Sequence, residues 1–281
     1  MKKNLYFFRL ITATALLGIS ILPTAFAADA ENWPQKAVTW VVPFPPGGAM
    51  DVVARSLGDT LSKDLGQAII VENRPGAGGN IGAQYVATQR PDGHTMMITS
   101  IGMATNPHLY SRLSYDPIKD FEPVTLLGVV PNVLVVKADN EELKSVEDVI
   151  KAAKAQPGKY TYASAGNGTS IHLAGASFTS LTDTDILHVP YKGSSPAVMD
   201  VLAGQVDMMF DSITSAKTHI DSGALRPLGL TTKNASAALP DVKPISQLGI
   251  ADYEVSPWFG VFVPAGTPKP VVDKMNKALV D

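Results

Sequence analysis

The chain has 281 residues, no cysteine, and a formal net charge of −3 from 23 basic and 26 acidic side chains. Without cysteine, neither a disulfide framework nor a thiolate metal site is available. The acidic balance argues against nucleic acid and anionic membrane surfaces as partners.

Lys2, Lys3 and Arg9 flank the start of an apolar run from Ile11 to Ile21, and Ala25-Phe26-Ala27 reads as an A-x-A cleavage site. Residues 1–27 therefore have the plan of a secretory signal peptide, whose apolar run is too short to anchor the chain in a bilayer. Cleavage near Ala27 removes three basic residues, leaving a charge of 20 − 26 = −6 on 281 − 27 = 254 residues. That length can bury a sizeable core in one or two domains. Export without disulfides points to a bacterial periplasm.

Val38, Trp40, Val41 and Val42 form an apolar run, Pro43 to Gly48 a turn, and Met50, Val53, Ala54 and Leu57 recur at helical spacing. The reading is strand, glycine turn, helix. A helix that starts at Gly47-Gly48 presents N–H groups without intrahelical partners and the positive end of its dipole, which suits an anion. Ala68 to Val71 is a second strand, Glu72 to Asn80 a loop, and Ile81 to Gln89 a helix. Gly76, Gly78, Gly79 and Gly82 miss the G-x-G-x-x-G spacing, so this cluster reads as a structural turn rather than a nucleotide site. Thr95 to Thr99 is a third strand and Ser100 to Pro107 a loop. Strand-loop-helix units of this kind build parallel sheets, in which ligands bind beyond the carboxyl ends of the strands.

Val124 to Leu127 and Val133 to Val136 are further strands, and Glu141 to Gln156 is a helix stopped by Pro157-Gly158. Tyr160 to Leu173 repeats the strand, glycine turn and helix of the opening stretch, with Ile171, Ala174, Phe178 and Leu181 facing inward. Strands follow at Ile186 to Val189, Val206 to Phe210 and Leu225 to Thr231, with a helix through Leu202 ended by Gly204. Trp258 to Val263 is a long apolar strand, and a helix begins at Pro270. One anion-ready helix start in each half predicts two lobes with a ligand between them, joined by crossings near residues 124–132 and 250–258.

Read in order, PFPPGGAMD, ENRPGAGGNIG, DGHTMMITS with ATNP, SAGNGTSIHLAG, HVPYKGSSPAVMDVLAGQVDMMFDS and WFGVFVPAGTPKPVV resemble the Bug-type solute receptors of tripartite tricarboxylate transporters. The resemblance covers the whole mature chain. It implies an α/β periplasmic binding protein of the two-lobed, type II-like kind, with mixed, mostly parallel sheets and a hinge of two crossings. Lobe 1 would span 28–128 plus 253–281, and lobe 2 residues 129–252. Relatives usually continue beyond residue 281, so lobe 1 is expected to be incomplete at its C-terminal end. The resemblance also implies a monomeric, cofactor-free receptor for a small organic acid (a di- or tricarboxylate, an acidic amino acid or a related carboxylate), working with membrane permease subunits. The carboxylate would be held by backbone N–H groups of two opposed loops.

Carried onto this sequence, the first loop is Phe44 to Met50, with Pro45, Gly47 and Gly48, and the opposed loop is Ser164 to Thr169, with Gly166, Asn167 and Gly168. Ser100 to Ala104, Met103 included, would add a wall, and the Thr169 and Ser170 hydroxyls further donors. Asp51 at a helix start either caps N–H groups and braces the loop or touches a ligand hydroxyl or ammonium. Asp211 is divided between ligand contact and bracing, and Lys192 between cleft and solvent. His172 reads as an interlobe or capping residue rather than a base. The chain departs from many relatives at Ala176-Ser177, where they carry Glu, and at Met50, which makes the pocket less polar. Gly48→Val and Gly168→Val are each expected to abolish binding by filling the carboxylate's place.

A periplasmic enzyme acting on an organic acid is the competing class, and a receptor feeding a sensor kinase is a second use of the same module. The five histidines form neither H-E-x-x-H nor H-x-H, and there is no G-x-S-x-G elbow or G-x-x-x-x-G-K-[ST] loop.

Overall fold

The computed structural model describes residues 32–281; the predicted signal peptide lies outside them. Among the described residues, ten strands form two five-stranded sheets. The first contains β1 (Val38–Val42), β2 (Ile69–Asn73), β3 (Thr95–Thr99), β4 (Phe121–Val129) and β10 (Trp258–Pro264), in the order β2-β1-β3-β10-β4. The second contains β5 (Asn132–Lys137), β6 (Thr161–Ser164), β7 (Leu187–Pro190), β8 (Met208–Ser212) and β9 (Leu225–Leu230), in the order β7-β6-β8-β5-β9. Eight helices of the described residues pack on them: α1 (Ala49–Leu65), α2 (Asn80–Ala87), α3 (Gly102–Leu109), α4 (Val146–Ala155), α5 (Ser170–Thr182), α6 (Ser194–Ala203), α7 (Ile213–Asp221) and α8 (Lys269–Val280).

The sheets are mixed as expected, and the two kinds of pairing are segregated. In each sheet the three strands that alternate with helices are parallel, β2-β1-β3 and β7-β6-β8. The fourth strand, β10 or β5, arrives from the other lobe and therefore runs antiparallel to both neighbours. The chain leaves the first sheet after β4, enters the second as β5, leaves it after β9 and returns as β10. The two crossings lie side by side, with Val130 N–H donating to Pro257 O at 2.8 Å.

Both sheets are covered on both faces, which is why their strands read as continuous apolar runs. Alternation along β1 sends Trp40 and Val42 to one core with Ala54, Leu61, Val271 and Met275, and Val41 to the other with Met97, Ala83 and Val86. Along β5, Leu134 and Val136 join Tyr162, Phe178 and Phe210, while Val133 and Val135 join Ala163, Met209 and Ile213.

Four local expectations change. Ser100 to Pro107 is not a loop, because α3 begins at Gly102; it lacks a regular apolar stripe and carries Pro107 inside, so periodicity gave no signal. The helix expected from Glu141 starts at Val146, where the Ser145 side chain accepts from Asp148 N–H at 3.1 Å. The four preceding residues form a turn held by Asn140 Oδ1, which accepts from Glu142 and Leu143 N–H. Leu181 is exposed, and Thr182 takes the buried position on α5. Tyr253 and Val255, assigned to lobe 1 by a boundary after residue 252, pack in the second sheet's core, where Tyr253 O–H donates to Ala174 O at 3.0 Å.

Phe178 is fully buried, with the Phe210 and Tyr253 rings 5.5 and 6.2 Å away. Phe178→Ala is expected to lower unfolding free energy by about 3–5 kcal/mol in urea titrations. A loss below about 1 kcal/mol would contradict this packing.

Candidate ligand-binding site

Parallel strands put their carboxyl ends, and the N-termini of the helices that follow, on one edge of the sheet. Here the two such edges face each other across a cavity of about 750 Å³, including its solvent-open mouth. From the first sheet the cavity is lined by Phe44, Gly48, Ala49, Met50, Gly78, Gly79, Ala83, Thr99, Ser100, Gly102, Met103, Asn106, Tyr115 and Phe259. From the second come Asn132, Ala165, Thr169, Ser170, Ile171, Ser194 and Ser212. The N-terminal ends of α1, α2 and α3 thus meet those of α5, α6 and α7. None of the lining side chains is charged. Six positive dipole ends converge on the cavity and favour an anion there, with the Asp51 carboxylate in the first turn of α1 and Asp211 just before α7 standing behind the lining.

The lobes touch around its rim. Thr105 Oγ1 donates to Gly168 O at 3.0 Å, Tyr110 O–H to Asn167 O at 3.1 Å, and Ser195 Oγ to Pro46 O at 2.8 Å. Phe44 packs against the cores of both lobes. The lobes are therefore closed on one another.

Of the residues expected at the site, Phe44, Gly48, Met50, Ser100, Met103, Thr169 and Ser170 line the cavity, and Pro45, Gly47, Asp51, Ala104, Ser164, Gly166, Asn167, Gly168, His172 and Asp211 do not. Asp51 braces the first loop: Oδ2 accepts from Gly47 N–H at 3.0 Å, and Oδ1 accepts from Asn73 Nδ2 at 2.9 Å and Arg55 Nε at 3.1 Å. Burial disfavours its charge, but these hydrogen bonds outweigh that and hold the carboxyl below its usual range. Pro45 faces Gly193 of the other lobe, where an added Cβ would stand 2.3 Å from Pro45 Cδ. Ala104 is exposed.

The second loop is braced from behind. Ser164 is fully buried; its Oγ accepts from Gly166 N–H at 3.1 Å and shares a 2.6 Å hydrogen bond with His188 Nε2. His172 Nδ1 accepts from Gly168 N–H at 3.3 Å, and its ring lies 4.3 Å from that of His188. Desolvation lowers the pKa of both rings, that of His188 to about 4 with the His172 charge adding to the effect. Both are therefore neutral at pH 7, and the stability this contributes, present above pH 6.5, is lost as pH falls toward 4. Asp211 is fully buried beneath Ser194 and Ser212: Ser194 Oγ and Ser212 N–H donate to Oδ1, the latter at 2.8 Å, and Ser215 Oγ donates to Oδ2 at 2.7 Å. Burial outweighs those bonds and raises its pKa. Lys192 is outside the lining as well.

Sequence reading missed Gly78, Gly79, Ala83, Thr99, Asn106, Tyr115, Asn132, Ile171, Ser194, Ser212 and Phe259. Gly79, Ser194 and Ser212 each sit where a parallel strand gives way to a helix, the signal that located the first loop. Asn106 and Tyr115 carried none: Asn106 Nδ2 and Tyr115 O–H both donate to Asn80 Oδ1, at 2.6 and 2.7 Å, in a network only the fold assembles.

Two lobes closed on an uncharged cavity at facing sheet edges define a solute-binding protein of the hinged, two-lobed class. Residues 53–281 match the family described as "Tripartite tricarboxylate transporter family receptor", and the chain belongs to that family. It is similar to the protein BugT of Bordetella pertussis, with 37% identity over 269 residues covering 94% of this chain and 82% of that one. Among solved structures, a Rhodopseudomonas palustris protein with adipate has 37% identity and a TM-score of 0.85, covering 88% of this chain and 83% of the other. MatC from the same organism, with bound malate, has 34% identity and a TM-score of 0.83 at 88% and 84% coverage. No described helix is long and apolar enough to cross a membrane.

Gly168 has φ +82°, and a Cβ there would stand 2.1 Å from Asn106 Oδ1 of the opposite lobe. The residue permits lobe closure rather than bordering the cavity, which changes the reason for its expected effect. Gly168→Val is expected to shift the protein toward an open form, seen as a larger radius of gyration in X-ray scattering. An unchanged radius with added ligand would contradict this role.

Proposed function

We propose that the protein captures a small carboxylate between its lobes in the periplasm and delivers it to the permease subunits of a tripartite tricarboxylate transporter. The observation that carries this reading is the uncharged cavity ringed by six helix N-termini. First-turn N–H groups have no intrahelical acceptor and stay available to carboxylate oxygens. The donors we assign are the backbone of Gly48, Ala49 and Met50 on one side and of Ser170 and Ile171 on the other, with the Ser100 hydroxyl beside them; the Thr169 hydroxyl, expected as a donor, instead donates to Gly166 O at 2.7 Å. Phe44, Met50 and Met103 would surround the apolar part of the ligand. The relatives solved with adipate and malate support an organic acid as ligand.

The same reading makes the protein a monomeric binder without catalytic activity. Ser164 and His188 are hydrogen-bonded, yet neither lines the cavity, and Ser164 is fully buried away from any substrate. Binding would stabilise the closed arrangement through contacts made to both lobes at once.

Thermal unfolding against a panel of di- and tricarboxylates tests this. A ligand at about 100 times its Kd adds about 2.7 kcal/mol, or roughly 5–10 °C for a protein of this size. Such a shift, with the ligand recovered at unchanged mass, is the expected result. A chemically altered ligand, or no shift across the panel, would overturn the proposal.

A further inference from the structure

We propose that binding of a carboxylate in the cavity is coupled to uptake of one proton from solution onto Asp211, an inference that rests on the carboxylate reading above. Asp211 is fully buried, and its three hydrogen-bond donors are all neutral: the Ser194 and Ser215 hydroxyls and the Ser212 N–H. Ser194 and Ser212 line the cavity, so the Asp211 carboxylate stands one residue behind the surface a ligand touches. The other carboxylate behind the lining is held differently, since Arg55 Nε donates to both oxygens of Asp51, at 3.1 and 3.0 Å. A ligand carboxylate and an ionised Asp211 would face each other across one layer of hydroxyls, in an interior that screens charge poorly. Such a pair raises the pKa of whichever anion is less well compensated. Helix N-termini compensate the ligand, so Asp211 takes the proton.

The proton has a place to sit. Ser215 Oγ stands 2.7 Å from Asp211 Oδ2 and 3.1 Å from Ser212 O, so its hydroxyl can turn from one acceptor to the other. With Oδ2 protonated, that O–H donates to Ser215 Oγ, and the Ser215 hydroxyl donates to Ser212 O. Oδ1 keeps its bonds from Ser194 Oγ and Ser212 N–H, so the starts of α6 and α7 stay tied together. Burial already raises the pKa of Asp211 by more than its hydrogen bonds lower it. On the neighbouring strand Val133 pairs with Asp211, and the core on that face continues through Ala163, Ile171 and Ala197. The helix α7 brings His219, whose charge acts on Asp211, and Lys217, which is paired with Asp221. From lobe 1, α1 packs against α7 with its Asp51 and Arg55 paired to each other.

Titration calorimetry in phosphate and in Tris, buffers of different ionisation enthalpy, measures the protons exchanged on binding. The probe is malate or adipate or, where neither binds, the carboxylate of the thermal panel with the largest shift. The expected result is uptake of about 0.5–1 proton per ligand, with affinity falling as pH rises from 6.5 to 8.5 by up to about tenfold per unit, because the complex holds more protons than the free protein. In Asp211→Asn the amide Nδ2 donates to Ser215 as the protonated acid would. That variant is expected to bind with no proton uptake and with the same affinity across this range. Infrared difference spectra of the native protein give a readout independent of the variant, a protonated-carboxyl C=O band that appears on adding the ionised ligand. Binding without proton uptake, uptake that persists in Asp211→Asn, or absence of that band would overturn the inference and leave the carboxylate reading standing. No binding by either probe, with no thermal shift from any other carboxylate, would overturn both.

Discussion

The architecture depends on one constraint: a parallel strand followed by a helix brings its unpaired N–H groups to the carboxyl edge of the sheet. Three such units per lobe give three helix N-termini per edge, and the two crossings turn the edges toward each other. The proposed anion affinity would follow from backbone geometry, without a lysine or arginine in the cavity lining. A charged side chain there would pay a desolvation cost on closure, whereas the helix termini are fixed by the hydrogen bonds of the helices themselves.

The side chains behind the cavity hold that backbone in place. Asp51 fixes the first loop through Gly47, and Ser164, His172 and His188 fix the second through Gly166 and Gly168. Asp211 ties the starts of α6 and α7 together through Ser194 and Ser212. These polar groups are buried and partnered, so they set the positions of donors without entering the cavity. At the rim, Asn106 approaches Gly168 closely enough that no side chain fits between the lobes, which links the glycine-rich sequence of the second loop to closure.

Much of this was legible in the sequence because apolar runs, glycine turns and helical spacing agreed with one another at β1-α1 and β6-α5. The approximate crossings and the two helix starts follow from local pattern, and the mixed sheets of a two-lobed fold from the resemblance to the receptor family. The roles of individual residues within the loops were legible only in part. Asp51 as a brace and His172 as a capping residue were among the readings the sequence offered, whereas for Gly168 and Asp211 the fold decides that they serve the lobe contact or brace the backbone rather than line the cavity. Tyr253 was placed in the wrong lobe because its burial depends on Ala174 and Phe178, about 75 residues earlier in the chain. The third helix escaped notice for a different reason, having no amphipathic period to read.

The most direct test of the central claim is a crystal structure of the complex with whichever carboxylate gives the largest thermal shift. The account predicts carboxylate oxygens within about 3.2 Å of backbone N–H groups at the starts of α1 and α5, with no lysine or arginine side chain in contact. A carboxylate held instead by a cationic side chain such as Lys192, or bound outside the cleft, would contradict it.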